Sequence, residues 1–322
     1  MKPGIFRTLC LSLPLLGTLL TGAPAAADQY PNRPVTLVVP YPAGGSTDEL
    51  ARILGRGIES SLGQPVVVVN RAGASGAIAA SSVAKSAADG YTLLLVSGVQ
   101  MSVNPLLMKD LSYDPAKDFS PIIYATSMPS VVVVNPKFPV QEASELVGHL
   151  KSNPDRFNYA SASVGTPSHL GVEMFKKVTG TSIQHIPYKG GAPALIDLVA
   201  GEVSMMFAYI PEALPYIQTD RLRPLAVTTR ERSSLLPDVP TLIEAGIDDY
   251  ELLGYFGIVA PTGTPSDRVE LLNKHFNEAL RRDEVRSHLN SKGFITVGGT
   301  PEEFSRYIDS ETKKWASILQ SQ

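Results

Sequence analysis

The chain has 322 residues, of which 43% are hydrophobic and 18% are charged, and its formal net charge at neutral pH is −3. A chain of this length is long for one hydrophobic core, so we predict two domains. The charge is mildly acidic and forms no run of one sign, which excludes nucleic acid and an anionic lipid surface as expected partners.

Residues 1–27 have the pattern of a secretory signal peptide. Lys2 and Arg7 form a short basic region, an apolar run follows, and Ala25–Ala27 supplies the small residues of a cleavage site. The run is too short for a membrane anchor, which takes about 20 apolar residues. We therefore predict export to the periplasm and a mature chain that starts near Asp28.

The predicted mature chain contains no thiol, because the single cysteine, Cys10, lies within the signal. This excludes disulfides, a cysteine nucleophile and a cysteine-based metal site. His169 and Glu173 are four residues apart, but two ligands do not make a metal site. We expect neither a metal nor a cofactor.

Short apolar runs alternate with helical stretches along the chain. Continuous apolar runs are typical of strands in a parallel sheet that is buried on both faces. The first series predicts strands at 35–39, 66–69 and 92–96, with helices at 47–62 and 76–86. The second series predicts strands at 130–134, 157–161, 183–186, 203–208 and 225–228, with helices at 143–151, 168–179 and 192–200.

The last part of the chain predicts a strand at 252–260 and helices at 265–282 and 301–319. Thr300 is the expected N-cap of the final helix, with Glu303 completing a capping box. Two α/β series joined by crossing strands, with the tail returning to the first, would form a hinged cleft. The predicted domains are therefore 28–128 plus 252–322, and 129–251.

A series of short motifs covers the whole predicted mature chain. They are Tyr-Pro-Asn-Arg-Pro at 30–34, Pro-Tyr-Pro-Ala-Gly-Gly at 40–45, Asp-Gly-Tyr-Thr at 89–92, Ile-Pro-Tyr-Lys-Gly-Gly at 186–191, Pro-Asp-Val-Pro-Thr at 237–241 and Pro-Thr-Gly-Thr-Pro at 261–265. Each motif alone is weak, but in this order they resemble the Bug-type, or tripartite tricarboxylate transporter (TctC-like), substrate-binding proteins.

The resemblance implies an α/β Venus-flytrap fold of the type II periplasmic binding protein class, with a ligand cleft between two domains joined by two crossing strands. It implies a small carboxylate ligand, namely a di- or tricarboxylate, an aromatic acid or an acidic amino acid. The partners implied are the permease subunits of a tripartite tricarboxylate-type transporter, and we expect a monomer. A receptor that presents its ligand to a sensor kinase would use the same binding chemistry.

Two positions depart from the family pattern. Val69 stands where the family usually has an acidic residue, and Ala72 stands where it has a proline. We expect neither residue to touch the cleft, so these departures concern local packing more than function.

The segment from Pro40 to Asp48 follows a buried strand and precedes a helix, which is where open α/β sheets bind ligands. Glycines let the backbone approach a ligand, and the free N–H groups of a helix start favour an anion. The predicted ligand contacts here are Tyr41, Ala43, Gly44, Gly45, Ser46 and Asp48. For Asp48 the alternative is a first-turn acid that stabilises its own helix.

Residues 161–169 have the same order of strand end, small polar residues and helix start. If the two series face each other, two helix starts point into one cavity. Neutral donors can then hold a carboxylate without an arginine, at about 1.5–3 kcal/mol per charge-assisted hydrogen bond. The predicted contacts are Ser161, Ser163, Gly165, Thr166 and His169, the last with the alternative of a hydrogen bond within its own domain.

Further candidates follow other strand ends: Ser97, Tyr188 and Tyr209, with Lys189 facing either the cleft or solvent. A serine hydrolase is the main enzymatic alternative, because residues 161–165 resemble a nucleophile elbow with Ser163 as nucleophile. That motif's first glycine is Ser161 here, and the histidine and acid of a triad are not evident in the expected order. We therefore expect a binding protein and not an enzyme.

Overall fold

The computed structural model describes Met1 and residues 30–319, so the predicted signal peptide lies outside the described residues apart from Met1. In the described part, no helix combines the length and apolar character needed to cross a membrane. The strands are β1 (Val35–Val39), β2 (Val66–Asn70), β3 (Thr92–Ser97), β4 (Phe119–Val134), β5 (Asn158–Ser161), β6 (Gln184–Pro187), β7 (Met205–Tyr209), β8 (Arg223–Val227), β9 (Leu253–Pro261) and β10 (Ile295–Thr296).

The helices agree with the predicted ones to within one or two residues, except for short elements that periodicity did not predict. They are α1 (Ser46–Leu62), α2 (Ala77–Ala84), α3 (Asn104–Leu107), α4 (Pro115–Asp118), α5 (Ala143–Ser152), α6 (Pro167–Thr179), α7 (Gly191–Ala200), α8 (Ile210–Ile217), α9 (Ser266–Arg281), α10 (Asp283–Ser291) and α11 (Pro301–Leu319). A 3₁₀ turn at Ala74–Gly76 and a π-helical turn at Val99–Val103 complete the set.

The strands form one mixed sheet in the order β2-β1-β3-β9-β4-β7-β5-β6. In one half, β1 pairs in parallel with β2 and β3, as expected for continuous apolar strands covered by helices. In the other half, β5 pairs in parallel with β6 and β7. Two antiparallel strands, β4 and β9, lie between these halves.

Strand β4 is the main departure from the predicted elements. We predicted a strand at 130–134, but β4 has 16 residues and begins at Phe119. Its segment up to Pro129 pairs with β9, and its last five residues pair with β7. The prediction was too short because Pro121 and Pro129 interrupt the apolar pattern, and proline normally argues against an interior strand.

Thr228 ties the two crossing strands together where the halves meet. Its hydroxyl accepts from the backbone N–H of Ser130 at 3.1 Å and donates to the carbonyl of Leu252 at 2.7 Å. Its own backbone N–H donates to the Ser130 carbonyl at 3.0 Å. Since Thr228 is fully buried, these bonds are shielded from water.

Helix α11 contributes to the hydrophobic cores of both halves. Phe304 and Ile308 belong to the core beneath β1 and β3, whereas Trp315 and Ile318 belong to a core of the other half. The predicted capping box is confirmed, because the N–H of Thr300 donates to Glu303 at 2.8 Å and the N–H of Glu303 donates to the Thr300 hydroxyl at 3.2 Å.

Candidate ligand-binding cleft

A cavity of about 970 Å³ lies between the two halves of the sheet. Its walls are the turns that follow β1, β2 and β3 on one side and β5 and β6 on the other, and its floor comes from β4, β7, β9, α8 and α11. The parallel strands therefore present their carboxyl ends to it, as open α/β sheets do at ligand sites. The volume is at the upper end for a small-molecule site and leaves room for water.

The turn after β1 forms one wall. The five predicted contacts from Tyr41 to Ser46 all line the cavity. Gly44 has a φ of +84°, a conformation that favours glycine, and Gly45 is the N-cap of α1. No side chain caps this helix start, so its first N–H groups are left for water or a ligand.

Asp48 does not line the cavity, in contrast to the other predicted residues of this turn. Its carboxylate accepts from the backbone N–H of Gly44 at 3.0 Å, from Asn70 at 2.9 Å and from both Nε and Nη2 of Arg52. The hydrogen bond from Arg52, aided by those from Gly44 and Asn70, lowers the pKa of Asp48 to about 2. The carboxylate of Asp48 thus stabilises the turn, and it lies behind the wall of the cavity.

A buried polar network supports the same wall. The hydroxyl of Tyr41 shares a hydrogen bond of 2.9 Å with Ser97, and both residues line the cavity. Gln100 accepts from the Ser97 hydroxyl at 2.8 Å and donates to Tyr41 and to the carbonyl of Ser75. Gln100 therefore joins the turns that follow β1, β2 and β3.

The turn after β2 is a part of the site that we did not predict. Residues 72–76 line the cavity, so the expectation that Ala72 lies away from the cleft is wrong. The signal was present in the sequence, since Ala-Gly-Ala-Ser-Gly follows an apolar strand just as Gly-Gly-Ser follows β1. Gly76 lies against Gln100 and Pro40, so a side chain there would collide with the neighbouring turn.

The turn after β5 forms the opposite wall, and Ser163, Gly165 and Thr166 line the cavity. The Thr166 hydroxyl donates to the carbonyl of Ser163 at 2.6 Å, and the Ser168 hydroxyl accepts from the N–H of Ala162 at 2.9 Å. These bonds hold the backbone ahead of α6. The turns after β1 and β5 thus face one cavity, each at a helix start.

Ser161 and His169 do not line the cavity, but lie behind this wall. The Ser161 hydroxyl bonds to Nε2 of His185 at 2.6 Å, and Nδ1 of His169 accepts from the N–H of Gly165 at 3.2 Å. Tyr159 stacks against the ring of His185. The alternative that we left open for His169, a bond within its own domain, is therefore the one observed.

These histidines do not assemble a hydrolase. Burial lowers the pKa of His169 to about 4 and also lowers that of His185. Of the two histidines behind this wall, His185 is the one that hydrogen-bonds to a serine, and its partner Ser161 is fully buried. A nucleophile must reach a substrate, so the geometry supports ligand binding by the Ser163 turn more than attack by Ser163.

Of the remaining candidates, some line the cavity and others do not. Tyr209 lines the cavity, but the Tyr188 hydroxyl turns away and donates to Asp197 at 2.7 Å. Lys189 lines the cavity and its side chain is exposed. Among the described lining residues it is the only cation, and no arginine is present, which fits recognition by neutral donors.

The floor of the cavity contains residues that sequence reasoning did not select. Ser130 on β4, Glu212 on α8 and Trp315 on α11 are among them. No local signal marks these positions, because they lie within a strand or a helix and not in a glycine-rich turn. Within the described residues, no group of three or more potential metal ligands occurs.

Known protein families and solved structures that resemble this chain have the same architecture. Residues 50–322 match the model of the tripartite tricarboxylate transporter family receptor, TctC. Protein BugT of Bordetella pertussis is 40% identical over 305 residues, which cover 94% of each chain.

Two solved structures from Rhodopseudomonas palustris are similar over the whole fold. A protein solved with adipate is 37% identical with a TM-score of 0.83, and covers 90% of this chain and 97% of its own. MatC with bound malate is 32% identical with a TM-score of 0.79, and covers 90% of this chain and 100% of its own. With its turns gathered around one interdomain cleft, this chain belongs to the TctC family of tripartite tricarboxylate transporter receptors, the Bug-type solute-binding proteins.

Proposed function

We propose that the chain is exported to the periplasm, binds a small carboxylate in the interdomain cavity and delivers it to the permease subunits of a tripartite tricarboxylate-type transporter. The observation that carries this proposal is the meeting of two helix starts, at Gly45 and Thr166, on opposite walls of one cavity. Neither start has a side-chain cap, and oriented N–H groups favour an anion.

The chemistry of the walls supports a carboxylate over a larger anion. Each wall turn offers backbone N–H groups and side-chain hydroxyls, such as those of Ser46 and Ser163. The donors of one turn suit one carboxylate group. The two similar structures from Rhodopseudomonas palustris carry adipate and malate, both dicarboxylates. We therefore place di- and tricarboxylates ahead of aromatic acids and acidic amino acids.

We propose that the binding role involves a motion of the two domains and no catalysis. We propose that residues 28–128 plus 252–322 and residues 129–251 close on the ligand as two domains, and that the permease recognises the closed monomer. Because a ligand shifts such an equilibrium only through its preference for one state, contacts from both walls are required. The occupied hydrogen bonds of His169 and His185 are the reason that we propose binding without turnover.

The test is a thermal shift assay of the mature chain with acids of different classes. Succinate, malate, adipate, citrate, benzoate and glutamate are the probes. Binding to the native state alone raises the free energy of unfolding by about 2.7 kcal/mol at a hundredfold excess over Kd, so one class should raise Tm by several degrees.

A flat response to every acid would contradict the proposed function. Ester hydrolysis by the wild type that is lost in Ser163→Ala would instead support the hydrolase. The same assay with hexanol and hexanamide, which lack a carboxylate, is the control for nonspecific stabilisation.

A further inference from the structure

The cavity has a second polar region, on its floor and away from the two helix starts. Ser130 lies on β4 where the crossing strand enters the second half, and its side chain is 1% exposed. Its hydroxyl has no hydrogen-bond partner within the described part of the chain, although Ser130 lines the cavity. A buried hydroxyl without a partner costs free energy, which a ligand group can recover.

Tyr209 and Glu212 line the same cavity as Ser130. Tyr209 is the residue opposite Ser130 in the β4–β7 register, and Glu212 is in the first turn of the helix that follows β7. Both line the cavity, and neither side chain makes a hydrogen bond to another described residue in the structure. The Glu212 carboxylate lies against Gly191, where an added Cβ would be 2.5 Å from its Oε2.

No cation neutralises Glu212 from the elements around it. Tyr209 on β7 and Tyr41 on the opposite wall are neutral phenols whose pKa values burial raises. Lys189 lines the cavity from the turn before α7 but forms no ion pair in the described residues, and Glu311 on α11 is held by Lys314 and Trp315. On the outer side, Pro211 packs against Gly293, and the adjacent Lys292 pairs with Glu49.

Glu212 is half-buried by accessible surface because it faces the cavity, while protein encloses it on its other sides. This burial raises the pKa of Glu212 to about 7. A lone carboxylate in such a place disfavours a second negative charge and favours a hydrogen-bond donor.

We propose that Ser130, Tyr209 and Glu212 form a specificity-determining subsite that accepts a hydrogen-bond donor from the end of the ligand opposite to the carboxylate held by the helix starts. This rests on the proposed function, since it assigns the second end of the same ligand. A hydroxyl or ammonium group satisfies Glu212 directly. A second carboxylate fits only if one proton is shared between it and Glu212, as in other close carboxyl pairs. A dicarboxylate therefore binds with the uptake of one proton.

The experiment compares adipate with 6-hydroxyhexanoate, which has the same chain length but ends in a hydroxyl. Affinities are measured by calorimetry from pH 6 to 8.5, in phosphate and in Tris, because the difference in buffer ionisation enthalpy reports proton uptake. Succinate and 4-hydroxybutyrate form a second pair with a shorter chain. Glu212→Gln keeps the shape and adds an N–H donor, and Glu270→Gln, at an exposed position of α9, is the matched control.

In the wild type, we expect the affinity for the dicarboxylate to fall by up to tenfold for each pH unit above about 7, whereas the hydroxy acid changes little. Glu212→Gln should remove this pH dependence and bind the dicarboxylate more tightly than the wild type at pH 8.5. Glu270→Gln should behave as the wild type does.

Two results would overturn the subsite and leave the proposed function intact. One is a dicarboxylate affinity that is equal at pH 6 and 8.5 without buffer-dependent heat, and the other is a pH dependence that persists in Glu212→Gln. Absence of binding for all four acids in both proteins at every pH, together with a flat thermal shift response to every acid of the panel above, would instead overturn the proposed function and the subsite with it.

Discussion

At the scale of single residues, Asp48 shows how a charged side chain can matter to a site without touching it. Its carboxylate accepts hydrogen bonds from Gly44, Arg52 and Asn70, and it is 4% exposed. It therefore fixes the turn that carries Gly44 and Gly45. Replacement of Asp48 should act first on stability, and on binding only through the shape of the turn.

We expect Asp48→Asn to lower the free energy of unfolding at pH 7 by about 1–3 kcal/mol, because it removes the charge-assisted bonds to Arg52. A carboxylate whose folded pKa is lowered stabilises the fold above its unfolded pKa, and this contribution is lost as the pH falls through the folded value. Since the pKa of Asp48 is lowered to about 2, the gap between wild type and variant should close between about pH 4 and 2. Urea denaturation of both proteins at several pH values measures this difference in the free energy of unfolding.

The control is Asp267→Asn, which alters an exposed acid in the first turn of α9. That substitution should change the free energy of unfolding by no more than about 0.3 kcal/mol, which is the smallest contribution typical of a charge at the end of a helix. A gap for Asp48→Asn that does not vary with pH would contradict the assignment of its carboxylate to the turn.

At the scale of elements, the helix start at Gly45 combines an open backbone with a position on the cavity wall. Gly45 has a φ of −86°, and an added Cβ would meet only the carbonyl of Pro42 at 3.8 Å. A larger residue is therefore compatible with the backbone here. Gly44, with a φ of +84°, would instead be strained by any side chain, so the two glycines have different physical roles.

We expect Gly45→Val to abolish binding of the acid found in the thermal shift assay, which means that Kd rises by about a hundredfold or more, with little change in stability. The branched side chain would occupy the space in front of the helix start, where the ligand carboxylate is expected to lie. Calorimetry gives Kd, and thermal unfolding without ligand gives the stability.

The matched control is Gly148→Val on α5, where an added Cβ meets no atom within 4 Å and the position is exposed. Unchanged affinity in Gly45→Val would remove the first turn from the site. A loss of stability equal to the loss of binding would show that the substitution acts on the fold.

At the scale of the whole molecule, the two halves are connected by β4, by β9 and by the shared helix α11. Their walls also meet at the rim, because Gly165 packs against Val103 and Leu107 of the opposite half. The hydrogen bonds of Thr228 hold the crossing strands at the base. In the proposed motion, opening of the cleft would separate these contacts, while the crossing strands would stay paired.

We expect saturating ligand to reduce the radius of gyration in solution scattering, since closure brings the two walls together around the acid. The Gly45→Val variant, at the same ligand concentration, is the control and should keep the unliganded value. Identical scattering from the wild type with and without ligand would contradict closure as the response to binding.

The strand-to-helix turns after β1 and β5 were predicted because their signals are local: an apolar run, small residues and a helix start. Tyr41 to Ser46, Ser163, Gly165 and Thr166 are placed on the cavity by that logic. Asp48, Ser161 and His169 belong to the same segments, and Tyr188 follows β6, but their side chains turn behind the walls. Side-chain direction depends on partners such as Asn70, His185 and Asp197.

The sequence by itself determined the alternation of strands and helices, the family and the two anion-favouring turns. These features depend on periodicity, on short motifs and on the backbone chemistry of residues that are close together in the chain. Only the tertiary structure decided the length of β4, the entry of residues 72–76 into the wall and the meeting of Ser130, Tyr209 and Glu212 on the floor. Ser130 and Tyr209 are brought together by antiparallel pairing. Such pairing depends on which strands become neighbours, which no local pattern specifies.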